Sequence, residues 1–208
     1  MAFVLINHGW TNERPEGHWQ RITALALRKQ GHHVFYPQYP DTAQPSYDAW
    51  LWLLQRELEM LLELRESVAA DTGETAGEVV VIGHSLGTVL WLKAAFEGQL
   101  PNSFVADRLL LVAPPERANV SQLPEFDIVA DDPSVRQALH ASARSITLLS
   151  SDNDPWIPSG IQAAVGDPLG LEAIIIPGAA HLSHNDGWGK WQGIVDWVND
   201  PSADLTRR

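Results

Sequence analysis

The stretch VVVIGHSLGTVLWL, residues 79–92, constrains the fold of this chain more than any other. Val79 to Ile82 form a continuous β-branched run, the pattern of a strand buried on both faces. A helical pattern follows at once. The five residues Gly83-His84-Ser85-Leu86-Gly87 must therefore turn the chain from strand to helix. A strand that is apolar on both faces needs helices on either side of its sheet, so this junction already argues for a parallel, helix-covered sheet.

The rest of the chain repeats the alternation. AFVLIN (2–7) reads as a strand, and a helix is expected over 17–30, with Trp19, Ile22, Leu25 and Ala26 near helical spacing and Gly31 suited to its C-terminal cap. HVFYP (33–37) is a strand stopped by Pro37 and Pro40. From Ser46 to about Ala69 the pattern is helical, with Tyr47, Trp50, Leu51, Leu54, Leu58, Leu61 and Leu62 on one face. A polar loop (71–78) leads to the strand at 79–83 and a helix at 86–97. Further strands are expected at 107–114, 145–151 and 172–178. Residues 115–143 read as irregular and proline-punctuated, with one short helix around 133–142. A last helix, roughly 188–199, carries Trp191, Ile194, Val195 and Val198. No repeat, low-complexity tract or linker divides the chain. The expectation is a single α/β domain over 1–208, a three-layer αβα sandwich of about six mainly parallel strands.

Composition narrows the chemistry. A net charge of −12 repels phosphate backbones and anionic lipid surfaces, so neither nucleic acid nor membrane is an expected partner. With no cysteine there is no disulfide, thiol nucleophile or cysteine-held zinc. The first residues show no basic leader, and the apolar stretch around 50–64 is broken by Arg56, Glu57 and Glu59. A cytoplasmic protein is expected.

Gly-x-Ser-x-Gly alone is a modest signal, which chance places in roughly one chain of this length in fifteen. Its position sharpens it. At a strand-to-helix turn this sharp, the residues two before and two after the serine must be small, and Gly83 and Gly87 meet that demand. A serine hydroxyl needs a base, and the base needs an orienting acid. Chain order serine, acid, histidine is satisfied at strand ends: SSDNDPWIP offers Asp152 and Asp154, and PGAAHLSHNDGWG offers His181 and His184. Asp154 is preferred because it lies deeper in its loop, with Asp152 as a structural cap. His181 follows its strand directly, whereas His184 belongs on the pocket rim or bonded to Asp186. The competing arrangement, a metal held by His181, His184 and Asp186, lacks a ligand set at familiar spacing and leaves the serine turn unexplained, so no metal or cofactor is expected.

Two backbone amides should receive a developing oxyanion: that of Leu86, at the helix N-terminus, and that of Trp10, in the NHGW loop (7–10) after the first strand. His8, Gly9, His84, Trp156 and Trp188 complete the expected pocket, His8 more plausibly bonding the loop backbone than moving protons. Of the nine tryptophans, Trp19, Trp50, Trp91, Trp191 and Trp197 are assigned to packing. For Trp10, Trp156 and Trp188, plain packing competes with a place in an aromatic pocket.

Four segments together, NHGW…GHWQ (7–20), GHSLG (83–87), SSDNDPWIP (150–158) and GAAHLSHNDGWGKW (178–191), resemble the small serine hydrolases of the retinoblastoma-binding-protein-nine/YdeN type, a compact branch of the α/β-hydrolases. His18-Trp19-Gln20 and the glycine- and tryptophan-rich segment after His181 are the most specific marks. The resemblance implies strand order 2-1-3-4-5-6 with little or no lid, and puts nucleophile, acid and base on Ser85, Asp154 and His181. The chain departs from it after His8-Gly9, where Thr11-Asn12-Glu13-Arg14-Pro15 stand in place of further glycines. The expected activity is hydrolysis of a small-molecule ester, carboxylesterase ahead of thioesterase or peptidase, with a homodimer left open. A non-catalytic protein- or ligand-binding module on the same fold is the alternative.

Overall fold

The computed structural model describes residues 1–73, 75–101 and 104–208; Glu74, in the expected polar loop, lies outside them. Six strands, β1 (Ala2–Asn7), β2 (His33–Phe35), β3 (Glu78–His84), β4 (Ala106–Val112), β5 (Ala143–Ser151) and β6 (Ala173–Ile176), form one sheet. All neighbours are parallel, in the order β2-β1-β3-β4-β5-β6. The helices are α1 (Trp19–Lys29), α2 (Tyr47–Thr72), α3 (Leu86–Phe96), α4 (Pro133–Ser142), the single turn α5 (Asp167–Leu169) and α6 (Gln192–Asn199).

Side-chain alternation along each strand divides the core in two. Phe3, Leu5, Val79, Val81, Leu109 and Leu111 face a cluster built with α2, α3 and α4. Val4, Ile6, Val80, Ile82, Leu110 and Val112 face the opposite cluster, built with α1 and α6. Both faces of β1 and β3 are therefore covered, which is why their sequences are apolar throughout. The strand order reverses direction between β1 and β3. In an open parallel sheet the crevice at such a switch point, beyond the C-terminal strand ends, is where a ligand is received.

Strands β2 to β6 differ from their expected bounds by one or two residues at one end or both, and larger differences lie in α1, α2, α6 and the segment 162–169. Helix α1 buries Trp19, Gln20, Thr23, Ala24 and Leu27, while Leu25 is exposed. Its inner face is rotated because His18, Gln20 and Thr23 are drawn inward. Helix α2 runs three residues past Ala69, to the left-handed Gly73. Helix α6 starts only at Gln192, because Gly187 takes a left-handed turn and the Trp188 amide bonds the Ser183 carbonyl. Finally, Gln162–Gly166 form a π-turn that runs into α5 across Gly166 and Pro168, two residues that read as breakers. Its Asp167 amide reaches back to Gln162 O, and the Gln162 side chain ties the turn to Leu171 O and the Ala173 amide at β6.

Candidate active site

The Ser85 backbone lies at φ 51° and ψ −124°, a conformation rare for any residue with a side chain. The neighbouring backbone holds it there. The Ser85 amide donates to Val112 O, and its carbonyl accepts from both the amide and the hydroxyl of Thr88. A Cβ at Gly87 would come within 2.6 Å of His8 O and 2.7 Å of Asn7 O, so only glycine lets α3 start against the end of β1. A Cβ at Gly9 would meet Ser85 Cβ at 2.8 Å. The β1 loop thus presses directly on the serine.

His181 follows β6 between two residues with left-handed backbone, Ala180 (φ 49°) and Leu182 (φ 54°). That contorted loop is pinned on both sides. Asp152 accepts from the Gly178 amide, Asn153 accepts from the Ala180 amide, and Leu182 O accepts from Trp19 Nε1 at 2.8 Å. The imidazole bridges two partners. Ser85 Oγ donates to Nε2 at 2.9 Å, and Nδ1 donates to the buried Asp154 carboxylate at 2.9 and 3.0 Å. The Trp156 amide also donates to Asp154 Oδ1, fixing the carboxylate. Ser85, His181 and Asp154 therefore stand in hydrogen-bonded series, while Asp152 caps the neighbouring loop.

The series opens onto a cleft of about 490 Å³, lined by Gly9, Trp10, His84, Leu86 and Trp156 among others. Among the described residues neither the Trp10 nor the Leu86 amide has a hydrogen-bond partner within the protein. Trp10 and Trp156 meet edge to face at 6.1 Å.

Two expected pocket residues are placed elsewhere. Trp188 is buried in the core against Trp191, with Nε1 bonded to Ala179 O, because the loop after His181 folds back beneath the cleft. His8 lies behind the cleft, accepting at Nε2 from the Tyr39 amide and donating from Nδ1 to Gly9 O. The chain at 11–15 solves its turn without further glycines. Thr11 and Arg14 occupy left-handed positions, held by Thr11 N to Thr42 O and by Arg14 to Gln38 Oε1 and Tyr36 O.

Three histidines around the site are held neutral. Burial lowers His8 and His18 to about 4 and also holds His84 well below its ordinary value, the neighbouring His181 adding to the effect on His84. His84 donates from Nε2 to His181 O at 3.0 Å and so helps carry that loop. The metal arrangement weighed from the sequence does not assemble: both ring nitrogens of His181 are engaged as described, and Asp186 accepts from the amide and hydroxyl of Ser183. Among the described residues no group of three or more carboxylates and imidazoles is placed to hold a metal ion.

The family model of the serine hydrolases matches residues 4–200 of the chain. The chain belongs to the serine hydrolase family. Its fold is that of known hydrolase structures. The ydeN gene product of Bacillus subtilis superposes with a TM-score of 0.72 at 19% identity, covering 96% of this chain and 97% of the other. A YdeN-like hydrolase from Pectobacterium atrosepticum gives 0.66 at 19% identity, covering 95% and 88%. The siderophore hydrolase EstB of Aspergillus fumigatus gives 0.62 at 15% identity, covering 95% and 88%. Among curated proteins the chain has no match.

Several residues of the cleft beside Ser85 were not picked out as pocket from the sequence, among them Asn12, His18, Pro115, Val120, Ser183 and Asn185. A signal existed for one of them. In His18-Trp19-Gln20, His18 caps α1 and faces the cleft, Trp19 holds the Leu182 carbonyl, and Gln20 bonds Asn7 O and Asn12 Nδ2. The triplet binds the β1 loop to the loop of His181.

Proposed function

We propose that this serine hydrolase is a carboxylesterase acting on small acyl esters. The observation that carries the reading is the unbroken series Ser85 Oγ, His181 Nε2, His181 Nδ1, Asp154 carboxylate. Ser85 Oγ attacks the ester carbonyl while its proton passes to His181 Nε2, giving a tetrahedral oxyanion. The Leu86 and Trp10 amides receive that oxyanion, and Asp154 stabilises the imidazolium. When the carbon–oxygen bond to the alcohol breaks, His181 returns the proton to the departing alkoxide, leaving the acyl group on Ser85. A water molecule, deprotonated by His181, then attacks the acyl-enzyme. The carboxylic acid leaves and the proton returns to Ser85 Oγ.

The test is turnover of a p-nitrophenyl ester by purified protein. Ser85→Ala and His181→Ala are each expected to lower kcat by about three orders of magnitude or more. Parent-level rates in both variants would remove the assignment. No helix among the described residues is long and apolar enough to cross a membrane.

A further inference from the structure

A second cavity, of about 350 Å³, lies between α3 and the segment that follows β4. Its walls include Val89, Leu92, Leu111, Ala164, Val165 and Leu169. Pro115 and Val120 line both this chamber and the Ser85 cleft, forming a common sill. We propose that the chamber is the acyl-chain site, and that the preferred substrate carries a straight, uncharged aliphatic acyl group of about six to ten carbons. This deepens the esterase reading and rests on it.

The direction of the chain follows from the proton transfer. His181 Nε2 must reach the leaving oxygen, so the alcohol half of the ester lies on the His181 side of Ser85. The His181 loop brings the polar residues Ser183, His184 and Asn185 to the cleft there, beside the Trp156 ring 5.8 Å from the imidazole. The acyl half must then point away from His181, and Pro115 and Val120, the residues shared by cleft and chamber, mark where it would enter the chamber.

Charge at the chamber mouth selects against an acidic acyl group. Arg117, the one cation among its described lining residues, is held by both carboxylate oxygens of Asp127 at 2.7 Å. Glu116 and Asp131 add carboxylates to the same rim. The sill is also anchored: the Glu116 amide and Asn119 Nδ2 both donate to Trp156 O, next to the Asp154 loop. At about 30 Å³ per heavy atom, the share of a water molecule in the liquid, the volume admits a chain of roughly ten atoms.

The experiment compares kcat/KM for p-nitrophenyl acetate and p-nitrophenyl octanoate. Each methylene that leaves water is worth about fourfold, so octanoate should exceed acetate by about a hundredfold or more even with partial burial. Ala164→Trp and Ala163→Trp, the latter at an exposed position on the rim, fill the chamber; each should lower the octanoate-to-acetate ratio at least tenfold. A ratio near one in the parent, or a parent-like ratio in the folded variants, overturns the proposal. Should neither variant fold, the parent's chain-length profile decides alone. Labelling of the parent by a fluorophosphonate separates the two levels. Labelling and turnover with a flat chain-length profile refute the chamber only, whereas no labelling and no ester turnover refute the esterase reading itself.

Discussion

At the scale of single residues, the site depends on which of two nearby carboxylates faces the histidine. Asp154 accepts from His181 Nδ1 and the Trp156 amide, while Asp152 accepts from the Gly178 amide. Asparagine at 154 would offer the imidazole an amide and favour the wrong tautomer; at 152 it keeps an oxygen for the same amide. Asp154→Asn is therefore expected to lower kcat by three to four orders of magnitude, on the order seen when such an acid is replaced. Asp152→Asn should stay within about tenfold of the parent, and the opposite pattern in the ester assay would move the acid to Asp152. Chain order and strand ends made the juxtaposition of Ser85, Asp154 and His181 readable beforehand, because all three stand just past the C-terminal ends of parallel strands. Trp188 was not readable. Its neighbours look like those of a loop residue at a strand end, and only the fold-back of the His181 loop puts it in the core.

At the scale of elements, the junction of β3 and α3 depends on glycine. A methyl group at position 87 would overlap two backbone carbonyls of the β1 end, groups that cannot swing aside. Gly87→Ala should cost about 2 kcal/mol or more, read as a lowered midpoint in urea unfolding, and should depress ester turnover by displacing the Leu86 amide from Ser85. Unchanged stability would mean that α3 shifts more freely than its close contact with β1 suggests. Strands β1 and β3 and helix α4 were legible because burial on both faces and proline at a helix start leave direct marks in the sequence. The turn at 162–169 left none: the missing amide of Pro168 and the glycine at 166 argue locally against a helix, and the Gln162 side chain supplies the support from a distance. The rotation of α1 was equally hidden. Two of its inward polar residues, His18 and Gln20, hydrogen-bond Asn12 and Asn7 of the β1 end and its loop, a tertiary demand that overrides periodicity.

At the scale of the molecule, burying several neutral histidines couples folding to pH. His8 and His18 titrate near 4 in the folded protein and at 6.5 as ordinary groups, with His84 lowered in the same direction. Between those pH values the unfolded chain binds more protons than the native one. The stabilisation is therefore fully present above about pH 6.5 and is lost as pH falls toward 4. His8 and His18 should contribute on the order of 3 kcal/mol each across that window. Urea unfolding at pH 7, 6 and 5 should show falling stability, and a flat series would mean that these imidazoles accept protons in the folded state. The central claim concerns Ser85, and covalent labelling tests it most directly. After brief exposure to a fluorophosphonate, peptide mapping by mass spectrometry should find the adduct on Ser85 in the parent and little or none in His181→Ala. An adduct elsewhere, none at all, or equal labelling of both proteins would contradict a serine activated by His181.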